Sequence, residues 1–120
     1  MGEIKHTPGP WEVRYTDEIY AGSVNIADAW SYDVGSPEQA EANAHLIAAA
    51  PEMKEALEEA RTTLSVTRTN IVVEMKRSEG AAYRFEGVPE ILKTRIDAID
   101  AALAKANGER PPLPPTARCE

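Results

Sequence analysis

Two histidines, His6 and His45, and one cysteine, Cys119, are the side chains of this 120-residue chain best suited to nucleophilic or metal chemistry. Nucleophilic catalysis needs a base within hydrogen-bond reach of the nucleophile and a third group that orients the base. His6 stands in a proline- and glycine-rich arm with nothing nearby in sequence to orient it, and reads as a polar loop residue. His45 falls on a predicted helix beside Asn43. It serves either as a helix residue hydrogen-bonded at a sheet interface or, with Asn43, as a ligand contact. Cys119 has no cysteine to pair with, a pattern that agrees with a reducing compartment. Two histidines and one cysteine fall short of the three or four closely spaced ligands of a zinc site, so neither a metal nor another cofactor is expected.

Paired carboxylates are the other common route to hydrolysis. Glu55, Glu58 and Glu59 are candidates, but they fall on the outer face of a periodic helix, where solvation explains them. The phosphate cradles GxGxxG and GxxxxGK[ST] do not occur, which removes the ordinary nucleotide-hydrolase motifs without removing nucleotide binding. The residues point to binding rather than catalysis.

The segment from Arg61 to Asn70 is the most unusual. Ser, Thr and Asn are mediocre helix formers, and a helix interior loaded with them gives up about 1 to 2 kcal/mol of propensity. Arg61 and Arg68 are seven residues apart and share a helix face, with Ser65 between them. That face offers two guanidinium forks and a hydroxyl to phosphate oxygens. Arg77 continues the basic stretch, and Tyr83 and Phe85 flank Arg84 in a way that suits stacking on a base. Asn43 and His45 complete the candidate ligand-binding set. The plainer alternative has the arginines paired with surplus acids, and Tyr83 and Phe85 plugging the end of a helical hairpin.

These side chains need a scaffold. Thr7-Pro8-Gly9-Pro10 excludes helix, so a first strand begins at about Trp11, where Trp11, Val13 and Tyr15 alternate with Glu12 and Arg14. Residues 19–21 and 24–30 supply two further β-like runs, divided by Thr16-Asp17 and Gly22-Ser23 turns. A three-stranded antiparallel meander over residues 11–30 follows, too small to stand without a helix on one face. Ser36-Pro37-Glu38-Gln39 starts that helix, with Ser36 as N-cap and Gln39 in the capping-box position. It runs over about 37–49 and carries an apolar stripe of Ala40, Ala44, Ile47 and Ala48.

Pro51 breaks it and opens a long helix over about 52–77. The seam of that helix is Met53, Leu57, Ala60, Leu64, Thr67, Ile71 and Met75. Gly80 and Gly87 bound a loop holding Tyr83, Arg84 and Phe85. Pro89 opens a last helix to about 106 with Leu92, Ile96, Ile99 and Leu103 in matching spacing, ended by Gly108. The two seams zip into an antiparallel hairpin with apolar surface left for a second copy, making a homo-oligomer the expectation. The class is α+β, one domain over 1–109, with an extended Pro-rich tail over 110–120.

The net charge of −7 argues against binding long nucleic acid. Residues 1–60 hold Lys5, Arg14 and Lys54 against twelve acids, whereas residues 61–95 hold seven bases against four acids. An anionic ligand belongs in the second stretch. No apolar run reaches the roughly 20 residues of a membrane span, and the start has no signal-peptide pattern, so a soluble, cytoplasmic protein without a membrane partner is expected.

Two strings carry a family resemblance. His6-Thr7-Pro8-Gly9-Pro10-Trp11, then Ala42-Asn43-Ala44-His45-Leu46-Ile47-Ala48-Ala49-Ala50-Pro51-Glu52-Met53 with Ala56-Leu57 behind it, resemble small phage and prophage proteins. Those share an HTPGPW-like start and an ANAxLIAAAPE(L/M)xxAL helix junction. The resemblance covers about the first 60 residues and implies a virus-encoded accessory protein working in a bacterial host cytoplasm against host defence. Joined to the basic and aromatic stretch, it leads to one expectation and one rival. The first is an anti-defence protein that sequesters a small anionic nucleotide signal, a cyclic oligonucleotide or a cyclic ADP-ribose-like molecule, without hydrolysing it. The rival is a protein-interaction module that docks on and inhibits a host protein, its acidic first half steering it toward a basic partner.

Overall fold

A computed structural model describes residues 5–109; Cys119 and the Pro-rich segment 110–120 lie outside the described residues. Three strands come first: β1 (Glu12–Arg14), β2 (Glu18–Ala21) and β3 (Val24–Asp28). Helices follow: α1 (Pro37–Ala48), α2 (Ala50–Arg77), α3 (Glu79–Arg84) and α4 (Val88–Ala106). The class is α+β, as the sequence pattern predicts. The chain divides into two compact units, residues 1–55 and 56–120, with the boundary inside α2.

In the first unit the strands form an antiparallel meander in the order β1-β2-β3. Val13 pairs with Ile19, and Ile19 with Ala27, so these three side chains share the inner face. The β1–β2 turn begins one residue earlier than expected. Tyr15 and Thr16 both take positive φ, 56° and 70°, while the β2–β3 turn uses Gly22 at 63°. On the inner face Ile19 is fully buried against Ala44 and Ala48 of α1, with Trp11, Val13, Ile26, Ala27, Ala29 and Ile47 packed around them. Ala40, Ala44 and Ala48 recur every fourth residue, so the buried side of α1 carries nothing longer than a methyl and the helix approaches the sheet closely.

Ser36 caps α1: its hydroxyl accepts from the Gln39 amide at 3.2 Å, with Pro37 in the first turn where its missing N–H costs nothing. At the other end the Ala49 amide donates to the His45 carbonyl at 3.1 Å, and α2 begins at once with Pro51 in its own first turn.

The second unit is an antiparallel helical hairpin built from the rest of α2 with α4. Arg61, early in α2, reaches Asp100, late in α4, and Arg68 reaches Pro89 at the start of α4. One expectation is corrected here. The stretch bounded by Gly80 and Gly87, read as loop, contains the six-residue helix α3. Ser78 accepts from the Ala81 amide at 3.3 Å, and Ala81 and Ala82 favour helix strongly enough to carry Gly80 in the first turn. Gly87, at φ 83°, turns the chain from α3 into α4, and Gly108, at φ 76°, follows the Asn107 cap at its end. Buried residues of this unit are few among those described: Ala81, Pro89 and Ile96. The portion of α2 within it contributes none.

Candidate functional site

Both arginines expected to offer forks to phosphate are engaged within the hairpin. Arg61 Nε and Nη2 donate to the two carboxylate oxygens of Asp100, the second at 3.3 Å, and Nη1 lies 3.5 Å from the Ser65 hydroxyl. The hydrogen bond to Asp100, with the charge of that carboxylate, raises the Arg61 pKa further and fixes the group as a cation. Arg68 is half-buried and donates from Nε to the Pro89 carbonyl at 3.0 Å. Arg61, Ser65 and Arg68 therefore share a face, as their spacing requires, and that face is the one turned toward α4.

The remaining hairpin residues gather at its closed end. Arg77 is exposed and 3.9 Å from Glu74 one turn earlier. The Arg84 guanidinium lies 6.0 Å from the centroid of the Phe85 ring, and Tyr83 is 81% exposed. Phe85 and Ile71 floor an open groove of about 340 Å³ whose other walls are Thr67, Asn70 and Glu74. Glu74 gives that groove a carboxylate, which opposes a phosphate and suits the polar edge of a base. Asn43 and His45 belong to the first unit. Both are exposed on α1, and His45 Nε2 is 3.9 Å from Glu41.

A second surface, which the sequence reading did not single out, lies on the outer face of the meander. Glu12 pairs with Tyr20, Arg14 with Glu18, and Glu18 with Asp28 across the strands, so all of these point away from α1. The Arg14 guanidinium bonds Glu12 and sits 4.8 Å from the Tyr20 ring centroid. Tyr20 donates to Glu18 Oε1 at 3.0 Å, and this bond to an anion holds its hydroxyl above the ordinary tyrosine value. Asn25 reaches Asp28 at 3.2 Å. Tyr15 meets Tyr20 edge to face at 6.1 Å while remaining 73% exposed. Farther on, Trp30 is exposed and Tyr32 is 101% exposed. The signal for this face was present in the alternation of Glu18, Ile19 and Tyr20, which puts one large apolar side chain inside and its two neighbours outside.

A family model described as Salmonella phage P22 protein Y8K6 matches residues 1–110. The chain belongs to that family. It is thus a member of a phage protein family, and the match runs beyond the first 60 residues through the whole hairpin. No curated protein and no solved structure matches the chain.

In this Y8K6-family chain, the two strings behind the phage resemblance meet in the first unit. The Trp11 indole donates to the Thr7 carbonyl at 3.0 Å and stands edge-on to His6 at 6.2 Å. Gly9 of the same arm lies against Pro51 at the α1–α2 junction. His6 thus has an aromatic neighbour that orders the arm. Among the described residues of the family member, no group of three His, Cys, Asp or Glu side chains is placed to hold a metal ion, and no helix is long and apolar enough to cross a membrane.

Proposed function

We propose that this phage protein acts by binding, without catalysing a reaction, and that the outer face of its meander docks on a basic surface of a host protein. The observation that carries this reading is the exposure of Tyr15, in edge contact with Tyr20 on that face, in a unit whose described residues hold nine acids against Lys5, Arg14 and Lys54. Exposed aromatics supply contact area at small entropic cost and dominate many interfaces. Surrounding negative charge speeds encounter with a basic partner and rejects acidic ones. The Arg14–Tyr20–Glu18 network adds pre-organisation, since its side chains are held before any partner arrives. Inhibition of a component of host defence is the role that a phage accessory protein of this kind would perform.

Cross-linking mass spectrometry on the tagged chain in a bacterial host tests it. Cross-links from the 12–28 segment to one host protein are expected, lost in Glu18→Lys/Asp28→Lys and weakened by added salt. Cross-links mapping to α4, or unaffected by that double change, would reject it.

One observation favours the second reading, sequestration of a nucleotide signal. At the closed end of the hairpin Tyr83, Arg77 and Arg84 are exposed beside the groove floored by Phe85 and Ile71. Stacking on Tyr83 or Phe85 with Arg84 on a phosphate would hold a cyclic nucleotide. Calorimetry with a panel of such molecules separates the readings: heat abolished by Arg84→Ala and untouched by Glu18→Lys favours sequestration.

A further inference from the structure

We infer that the helical hairpin pairs with a second copy of itself, antiparallel, through the side of the hairpin opposite the Arg61–Asp100 bond. The proposal starts from how little the second unit buries. A hairpin of two helices has a single seam, and here that seam buries only Pro89 and Ile96 of α4, while its α2 partners Leu57, Leu64, Ile71 and Met75 remain half-exposed. Such a seam lacks a third layer.

The helical positions say which side that layer occupies. On α2, Arg61, Ser65 and Arg68 lie to one side of Leu64, and Ala56, Ala60, Thr63 and Thr67 to the other. On α4, Lys93, Asp97 and Asp100 lie to one side of Ile96, and Leu92, Ile99 and Ala102, with Arg95 among them, to the other. The Arg61–Asp100 bond brings the two polar flanks together, with Lys93 bonded to Asp97 at 2.8 Å along the same flank. The two flanks then form one open side, apolar except for Asn70 and Glu74 toward the end of α2 and Arg95 of α4. Its small residues Ala56, Ala60, Thr63 and Ala102 are all exposed, so a neighbouring helix can approach there.

Charge identifies the occupant. Divided at the level of the Arg61–Asp100 bond, residues 62–99, the closed end, hold six bases against five acids, whereas residues 56–61 with 100–109, the open end, hold four acids against two bases. The hairpin is polarised along its length and nearly neutral as a whole. An antiparallel copy sets positive end over negative end at both extremities of a two-fold contact, whereas a parallel copy sets like over like. The size also fits. With α4 about 28 Å long and the pair about 20 Å wide, the face projects about 550 Å², and side-chain relief brings this toward the roughly 800 Å² per partner of a standard interface. This pairing is independent of what the meander binds.

Sedimentation velocity on the full chain tests it. At concentrations on the order of 10 µM, where a standard interface holds, twice the monomer mass is expected. Ala60→Glu and Ala102→Glu, at positions already exposed, should give monomers that keep their helical circular dichroism. Thr69→Glu, on the far side of α2, should leave the dimer intact. Orientation is read from spin labels on Glu79→Cys in a Cys119→Ser background. Antiparallel copies hold the two labels apart by about the 28 Å length of α4 or more. A wild-type monomer would overturn the proposal and leave the face to a different chain. A dimer insensitive to Ala60→Glu and Ala102→Glu, or tip labels within about half a helix length of each other, would overturn it equally.

Discussion

Gly9 lies so near Pro51 that a Cβ added at the glycine would stand 3.0 Å from the proline Cβ and 3.3 Å from its Cγ. The proline ring is rigid and held in the first turn of α2, so it cannot step aside as the end of a long side chain would. The contact ties the N-terminal arm to the α1–α2 junction and places Trp11 over the Ile19–Ala44–Ala48 core. Gly9→Ala is expected to destabilise the first unit by about 1 to 3 kcal/mol through overpacking, and Gly9→Val by more. Urea unfolding followed by tryptophan fluorescence checks this; an unchanged midpoint would mean the arm is not anchored there.

Arg68 and Arg61 should differ in worth even though both are arginines on one face of α2. Pro89 is buried, and Arg68→Ala strips its carbonyl of the guanidinium donor, a loss of about 1 to 3 kcal/mol. The Arg61–Asp100 pair is exposed to solvent and screened, so Arg61→Ala should cost less than Arg68→Ala, and less still at high salt. Thermal unfolding of the two single variants at low and high salt separates them. Equal losses would place the hairpin's stability elsewhere.

The hydroxyl of Tyr20 supplies a pH test. Its pKa stands above the ordinary 10.0, chiefly because it donates to Glu18. A group whose folded pKa is raised contributes stability that is fully present below the unfolded value and lost as pH rises through the folded one. The meander should therefore hold its Tyr20 contribution to pH 10 and lose it above. A signal assigned to the Tyr20 ring should show it titrating above the ordinary tyrosine value, and Glu18→Gln should lower it. An ordinary Tyr20 titration in the parent would contradict the bond.

Much of this architecture was legible in the residues because periodicity and caps report on local geometry. The alternation around Val13, the Ser36-Pro37 start, the break at Pro51 and the matching four- and three-residue steps of α2 and α4 each depend on neighbours within a turn or two. Helix α3 was hidden because Gly80 outweighs Ala81 and Ala82 in a propensity reading, and only the Ser78 cap shows the balance reversed. The spacing of Arg61, Ser65 and Arg68 told that they share a face but not which way it turns. Asp100 and Pro89 are 39 and 21 residues away in sequence, and only the folded hairpin reveals that they take up those two guanidinium groups. The outer sheet face was overlooked for a related reason: Tyr20, Glu18 and Asp28 come from two strands, and their juxtaposition depends on register.

The N-cap serines predict a graded response. Ser36→Ala removes the acceptor for the Gln39 amide at the head of α1, whose alanine face carries the first unit's core, and should cost about 0.5 to 2 kcal/mol. Ser78→Ala removes the same kind of cap from a six-residue helix. A helix so short is below the length that sustains itself, so its loss should melt α3 locally rather than shift global unfolding. Hydrogen exchange at the Ala81 and Ala82 amides reads this directly. Protection retained there in Ser78→Ala would show that packing of Ala81 alone holds the turn.

Tyr15 and Tyr32 provide the sharpest test of function because stability and binding should part company. Tyr32 is fully exposed, and removing its ring leaves the fold's buried contacts in place; Tyr32→Ala is expected within about 0.5 kcal/mol of the parent in stability. Tyr15→Ala loses the edge contact with Tyr20 and relieves no positive φ, so about 0.5 to 1.5 kcal/mol is expected. On the docking reading Tyr15→Ala should weaken the complex by about 2 kcal/mol or more, some thirtyfold in Kd, because exposed aromatics at an interface centre act as anchors, while Tyr32→Ala, past the end of β3, reads whether the contact extends beyond the strands. Circular dichroism and a binding isotherm on the same samples make the comparison. A Tyr15→Ala variant that keeps both fold and full affinity would remove the meander's outer face from consideration and leave the closed end of the hairpin as the working surface.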